Sequence, residues 1–434
     1  MARPRMVVLR ENQSQTFDGP AGPEDDAPLA GIRVIDLTAV VMGPLATQTL
    51  GDYGADVIKI ESPDGDIMRH ASPMRSPRMG AVFLNLNRNK RSVCLDLKDP
   101  AGRDAVLALC RQADVFIHSM RPAALDRLGL SENAIRGAKD DIVFCAVTGF
   151  GTGGPYAGRP AYDDIIQAMS GLADLPARRS GGPPEFSPTI LADKICGLAA
   201  YGAINAALFR RTRTGKGASI EVPMFETMTA FNLAEHLAGA MFDPEGGDVG
   251  YTRAMLPERR PYRTADGYIA VLPYSTRHWL SFFKAIGRED MCTERRVTDP
   301  AERSRSVKDL YDIIADVMPA RTTEAWARIL RDADVPSAPV TAIADLPRDP
   351  HLTAQDFFRS YDHPSEGRLT TTALPVRFED QSDAPIRLPP PQLGADTRAV
   401  LTDAGYSAEV VDQLIARGVA ITPDILEVNL NGAE

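Results

Sequence analysis

After residue 29 the chain alternates short apolar runs, rich in β-branched residues, with helix-length segments, and this alternation restricts the fold more than any other feature. Residues 31–36 (GIRVID) read as a strand, 45–53 as a helix closed by Gly54, and 55–61 (ADVIKIE) as a second strand. A strand, a helix and a strand so close together form a βαβ unit, which forces parallel pairing and a right-handed crossover. The pattern continues with a strand at 92–97, a helix at 100–112 that has Pro100 near its start, and strands at 114–118 and 141–147. The last of these, DIVFCAV, is a continuous apolar run of the kind that a parallel sheet buries on both faces. The expected fold class is α/β, with a Rossmann-like, doubly wound large domain.

Beyond 149 the pattern changes. Residues 149–161 form a Gly/Pro-rich loop, 163–172 a helix and 192–209 a helix of small residues. A strand at 219–222 and a helix to about 237 follow, and Gly246, Gly247 and Gly250 mark a boundary. Residues 251–340 carry their own strand (267–271) and helices (278–286, 305–317, 323–333), which suggests a smaller α/β second domain. The expected organisation is a mobile extension at 1–28, a large domain at 29–225, a linker at 226–250, a small domain at 251–340 and a C-terminal return at 341–434. That return includes a proline-dense connector (385–391) and a helical tail at about 395–417.

Charge and cysteine usage narrow the partners. With 48 basic against 58 acidic residues, the net charge of −10 offers no basic stripe for nucleic acid. Five dispersed cysteines without a C-x-x-C, and six histidines without ligand spacing, argue for free thiols and against a metal. Residues 1–28 lack the apolar run of a signal peptide, and no stretch approaches the ~18 apolar residues of a membrane span. The expected location is cytoplasmic, with no membrane partner.

Familiar phosphate and hydrolase motifs are missing. The first βα turn, residues 38–44, lacks G-x-G-x-x-G, and neither a P-loop nor a G-x-S-x-G elbow occurs. What remains is carboxylate chemistry. Asp163 follows Tyr162 after the glycine loop, and Asp193 begins the small-residue helix after an apolar run. On spacing alone, either aspartate reads first as a helix N-cap. Lys98, Arg121 and Arg127 read as a solvated face, and Tyr162 as a half-buried aromatic.

Several ordered segments nevertheless match one family. LAGIRVIDLT (29–38), Gly43-Pro44, GADVIKIE (54–61), NRNKRS (87–92), LDLK (95–98), RPAALDRLG (121–129), TGFG (148–151), TGKG (214–217), DGY (266–268) and VPSAPV (335–340) together resemble class III CoA-transferases, the formyl-CoA and carnitine CoA-transferase type. The resemblance runs from Leu29 to the C-terminal helix. It implies acyl-CoA and a small carboxylic acid as substrates, no metal, and an interlocked homodimer. Asp193, in ILADKICG, matches the family's nucleophile, and helix-end amides would keep it ionised. Positions matching the family's coenzyme A contacts are Val41, Met42, Leu95, Lys98, Ser119, Met120, Arg121 and Arg127, with Tyr162 and Asp163 beside the thioester.

The chain departs from the family pattern in four places. Val41 stands where Gln is common, and no clear counterpart of the active-site glycine loop exists, Gly246-Gly247 being a poor match. Arg259 and Arg260 occupy a turn where they would suit an acceptor carboxylate or simply solvent, and Gly394-Ala-Asp-Thr397 replaces Gly-x-His-Thr. The fold also hosts α-methylacyl-CoA racemases, but their histidine base falls at Tyr162, whose phenol (pKa ~10) is a poor base at neutral pH. A catalytically inert CoA binder is a further alternative, disfavoured by the presence of Asp193.

Overall fold

The computed structural model describes residues 26–244, 246–376, 378 and 386–425. Most of the expected extension at 1–28 and part of the 385–391 connector lie outside them. The chain forms two compact units: the first runs through Ser170, Ser187–Thr229 and from Thr353 onward, and the second comprises Gly171–Phe186 and Ala230–Leu352.

The first unit is built on a seven-stranded sheet. Its parallel strands are β1 (Arg33–Leu37), β2 (Asp56–Glu61), β3 (Lys90–Leu95), β4 (Val115–His118), β5 (Val143–Thr148) and β6 (Ala218–Pro223), in the spatial order β3-β2-β1-β4-β5-β6. Val34 lies opposite Val57 on one side and Val115 on the other. A short strand, Ala420–Ile421, closes the β3 edge antiparallel. The chain winds outward from β1 in both directions. The β1/β4 gap is therefore the topological switch point, beyond whose carboxyl ends such sheets hold their ligands.

The α-helices to residue 236 are, in order, α1 (Met42–Asp52), α2 (Ala81–Leu86), α3 (Pro100–Cys110), α4 (Pro122–Arg127), α5 (Glu132–Ala138), α6 (Asp163–Met169), α7 (Asp174–Ser180, in the second unit), α8 (Leu191–Thr214) and α9 (Met224–His236). One face of the sheet (Ile35, Ile58, Val93, Phe116, Phe144) packs on α3, α4, α5 and the C-terminal helices Thr397–Asp403 and Ala408–Ala416. On the other side α1 meets α8 at close range. A methyl group on Gly197 would lie 2.6 Å from the Met42 carbonyl oxygen, so the small residues of α8 set the helix spacing.

Three boundaries differ from expectation for identifiable reasons. Helix α1 starts at Met42 rather than 45, because Gly43 and Pro44 sit in its first turn, where a proline removes no hydrogen bond. Strand β3 begins at Lys90 rather than 92, because Lys90 and Arg91 are drawn into it by buried and half-buried carboxylates. The expected C-terminal helix is two helices, interrupted at Gly405 with φ +98°. The Gly394–Thr397 turn is structural: Thr397 Oγ1 accepts the Cys94 N–H and donates to the Ile421 carbonyl, tying the last strand to β3.

The second unit has its own core. A three-stranded antiparallel sheet (Tyr262–Arg263, Tyr268–Val271, Ser337–Pro339) accompanies helices Thr276–Ala285, Val307–Val317 and Thr323–Asp332, around Trp279, Phe282, Phe283, Tyr311 and Trp326. Among the described residues no helix is long and apolar enough to cross a membrane.

Candidate active site

Two cavities open at the carboxyl ends of the parallel strands. The larger, about 1020 Å³, is floored by the ends of β1, β2 and β3 and walled by Ser119, Met120, Ala124 and residues 126–129. Lys98, Arg103 and Arg127 face it, as do Asp64, Asp96 and Asp126. The smaller, about 370 Å³, shares Ala39, Ser119 and Met120 with the first and extends past Met42, Phe150, Arg159 and Tyr162 to Asp193. The two thus meet at the switch point between β1 and β4.

The turn between them is strained and heavily braced. Val40 has φ +73°, in the left-handed region that β-branched residues avoid. Its N–H donates to Asp66 Oδ1 (3.1 Å), the Ala39 N–H donates to Ser119 Oγ (3.1 Å), and Lys59 Nζ donates to the Thr38 carbonyl (2.8 Å). Beneath lies a buried charge network. Lys59 also reaches Asp66 Oδ2 at 3.1 Å, and Lys90 Nζ donates to Asp36 Oδ2 (3.1 Å), the Pro44 carbonyl (3.0 Å) and Asn87 Oδ1 (2.8 Å). Glu61 and Arg69 form a bidentate pair at 2.7 Å for both bonds. Burial alone would raise the Asp36 pKa, but Lys90 and Lys59, with the Thr38 and Thr47 hydroxyls, bring it down to about 2.

Asp193 sits differently. It is the third residue of α8, 7% exposed, and its own N–H donates to Asp163 Oδ1 at 3.1 Å. Asp163, the first residue of α6, also takes a bond from Gln167 Nε2. The free amide at the start of α8 therefore serves Asp163. This corrects the expectation that helix-end amides hold Asp193 ionised. No cation among the described residues pairs with Asp193, and burial together with the Asp163 charge pushes its carboxyl up to about 7. Neither aspartate is the N-cap of its helix; those positions are Tyr162 and Ile190.

The structure brings together Met42, Ser119, Met120, Arg121, Tyr162 and Asp193 around the smaller cavity, and Lys98, Ser119, Met120 and Arg127 around the larger. Asp163 stands behind Asp193. Two expected contact positions do not face a cavity. The Leu95 side chain is fully buried in the core on the α3 side of the sheet, and Val41 is buried at the N-cap of α1, so neither side chain offers surface to a ligand. Tyr162 is 63% exposed, more open than a half-buried aromatic. Arg259 and Arg260 lie on an exposed turn of the second unit.

Two features were not anticipated. Arg159 lines the smaller cavity with its guanidinium stacked 4.5 Å from the Tyr156 ring centroid. The 149–161 loop is anchored by carboxylates: Glu226 Oε1 accepts the Gly151 N–H (3.0 Å) and Glu221 Oε1 the Thr152 N–H (3.0 Å). Charged residues inside otherwise apolar strands (Asp36, Lys59, Glu61) are the available signal for the network, because buried charges require partners.

The pattern of CoA-transferase family III matches residues 29–397. The succinyl-CoA:glutarate CoA-transferase of Mus musculus is 31% identical over 399 residues, 90% of each chain. The formyl-CoA:oxalate CoA-transferase of Escherichia coli O157:H7 is 30% identical over 417 residues, 88% of this chain and 97% of that one. The crystal structure of Rv3272 from Mycobacterium tuberculosis superposes with a TM-score of 0.74 at 27% identity, covering 88% of this chain and all of that one. With the match spanning the sheet, the switch-point cavities and the second unit alike, the chain is a transferase and belongs to CoA-transferase family III.

Proposed function

We propose that the protein moves coenzyme A from an acyl-CoA thioester to a free carboxylic acid, with Asp193 as a covalent carrier. The observation that carries this reading is a buried carboxylate without a counter-cation, at the end of a cavity at the switch point. An Asp193 oxygen adds to the donor thioester carbonyl, the C–S bond breaks, and coenzyme A leaves as thiolate from an aspartyl–acyl anhydride. The thiolate then attacks the Asp193 carbonyl and expels the donor acid as carboxylate, leaving an aspartyl-CoA thioester. An acceptor carboxylate displaces the thiolate to form a second anhydride. The thiolate finally attacks the acceptor's acyl carbon and regenerates the Asp193 carboxylate. No net proton or electron is consumed.

In this reading the larger cavity takes the nucleotide end of coenzyme A, with Lys98 and Arg127 against its phosphates. Arg121 and Arg159 flank the reacting end, which suits a dicarboxylic acceptor, as the relatives named for glutarate and oxalate suggest. The racemase reading finds no support: Tyr162 stands in place of the histidine base, and among the described residues no imidazole lines the Asp193 cavity. The resemblance further suggests an interlocked homodimer, which light scattering of the purified protein would test. Hydroxylamine added during turnover should inactivate the enzyme and leave a hydroxamate on Asp193. Full activity in Asp193→Ala, or labelling elsewhere, would refute the carrier role.

A further inference from the structure

A third cavity, about 340 Å³, lies wholly within the second unit, among Tyr251, Arg253, Tyr274, Trp279, Arg303 and Ser304. Its two guanidiniums are held in place by neutral groups. Arg253 Nε donates to the Tyr311 hydroxyl at 2.7 Å, and the guanidinium lies 4.9 Å from the Tyr274 ring centroid and 5.8 Å from that of Tyr311. Arg303 Nη1 donates to Thr276 Oγ1 (2.9 Å) and to the Val297 carbonyl (2.7 Å). Among the described residues no carboxylate forms an ion pair with either arginine. Asp299, the opposing charge near Arg303, accepts the Ala301 and Glu302 N–H groups at a helix start and faces Arg295 at 3.4 Å.

Two like charges fixed near each other with no carboxylate bonded to either are costly unless something supplies the missing charge. Burial, and then the Arg253 charge, depress the Arg303 pKa below its ordinary value, and Asp299 offsets this only in part. Elsewhere the chain answers guanidiniums directly: Arg69 has Glu61, and Arg88 has Asp52. A guanidinium anchored by one nitrogen keeps its remaining N–H groups in a planar fork, the geometry that accepts a carboxylate. The aromatic walls suit an organic body, whereas an inorganic ion would leave them uncovered.

We propose that this cavity is a binding site for a small organic carboxylate, separate from the Asp193 cavity. The inference does not rest on the transfer reaction, since the site lies in another unit and uses none of the residues assigned to catalysis. Both tryptophans of the chain, Trp279 and Trp326, lie in the second unit, and Trp279 lines the cavity, so intrinsic fluorescence is a local reporter.

The test titrates the full-length protein with succinate, benzoate and inorganic phosphate at constant ionic strength, exciting at the tryptophan edge. At least one carboxylate should give a saturable change, with phosphate at least ten-fold weaker. Arg253→Gln should weaken carboxylate binding ten-fold or more. Ser304→Phe, at an exposed rim position, should do the same by filling the cavity without disturbing the core. Asp193→Ala should leave the titration unchanged. No saturable response to either carboxylate, a response equal for phosphate, or one unaffected by both cavity variants would overturn the proposal. A response lost in Asp193→Ala would assign the signal to the transferase site, which also overturns this proposal while leaving the proposed function intact.

Discussion

Asp36 and Asp193 are both aspartates buried in the first unit near the switch point, and their surroundings drive them in opposite directions. Asp36 is fully enclosed, with Lys90, Thr38 and Thr47 on its oxygens, and its carboxyl lies at about 2. Asp193 is nearly as enclosed but faces Asp163, and its carboxyl lies at about 7. Burial penalises the charge on both; the partner decides the outcome. A carboxylate given lysines becomes a structural ion. One left beside a like charge keeps an undersatisfied oxygen, as a nucleophile must.

The sharpest way to break this contrast is to neutralise each aspartate in turn. Asp193→Asn should lower the rate of acyl exchange by on the order of 10⁴-fold, read by the appearance of the acceptor's CoA thioester. The same variant should be more stable than the parent above neutrality. A carboxyl raised in the folded state contributes stability fully present below the unfolded pKa and lost as pH climbs through about 7, and asparagine has no such loss. A higher midpoint in urea at pH 8, with little difference at pH 4, is the expected pattern.

Asp36→Asn should do the reverse. It leaves Lys90 buried without its ion partner, at a cost of about 3–5 kcal/mol in denaturant unfolding. Here the sign is the ordinary one for a depressed acid: stability is present above the unfolded pKa and is lost as pH falls toward about 2. Equal stability of parent and variant at pH 7 would show that the network contributes nothing.

A smaller effect separates the sites by pH. If Asp193 must be ionised, the donor half-reaction should rise roughly ten-fold between pH 6 and pH 8 and then level, reflecting a carboxyl near 7. A profile flat from pH 5 upward would mean that the Asp163 charge is already compensated when acyl-CoA is bound.

Legibility in the sequence follows the same division. The strands were readable because β-branched runs buried on both faces look alike wherever they occur, and the order of elements left few topologies. Asp193 stands out from the sequence only through the family resemblance; by spacing it reads as a cap, and in the structure its own N–H bonds Asp163 instead. Leu95 matches a contact position only through the family resemblance: its strand ends at the cavity while its own side chain points into the core. The Lys90–Asp36 pair joins residues 54 positions apart, so the strand pattern signals a buried charge there without naming its partner.

The mildest prediction concerns what the paired network is for. Lys59 and Asp66 do not touch Asp193, yet they grip Thr38 and Val40, in the turn that separates the two cavities. A left-handed valine costs about 1–3 kcal/mol, and glycine adopts the same backbone without that strain while losing more freedom on folding. Val40→Gly should therefore be neutral or up to about 1 kcal/mol more stable. If the network exists to hold the turn, relieving the strain should also loosen it, raising the KM for acyl-CoA several-fold with the pH profile unchanged. If instead stability rises and KM stays put, the left-handed turn is only a by-product of packing, and the contrast between a bracing aspartate and a reacting one no longer bears on function.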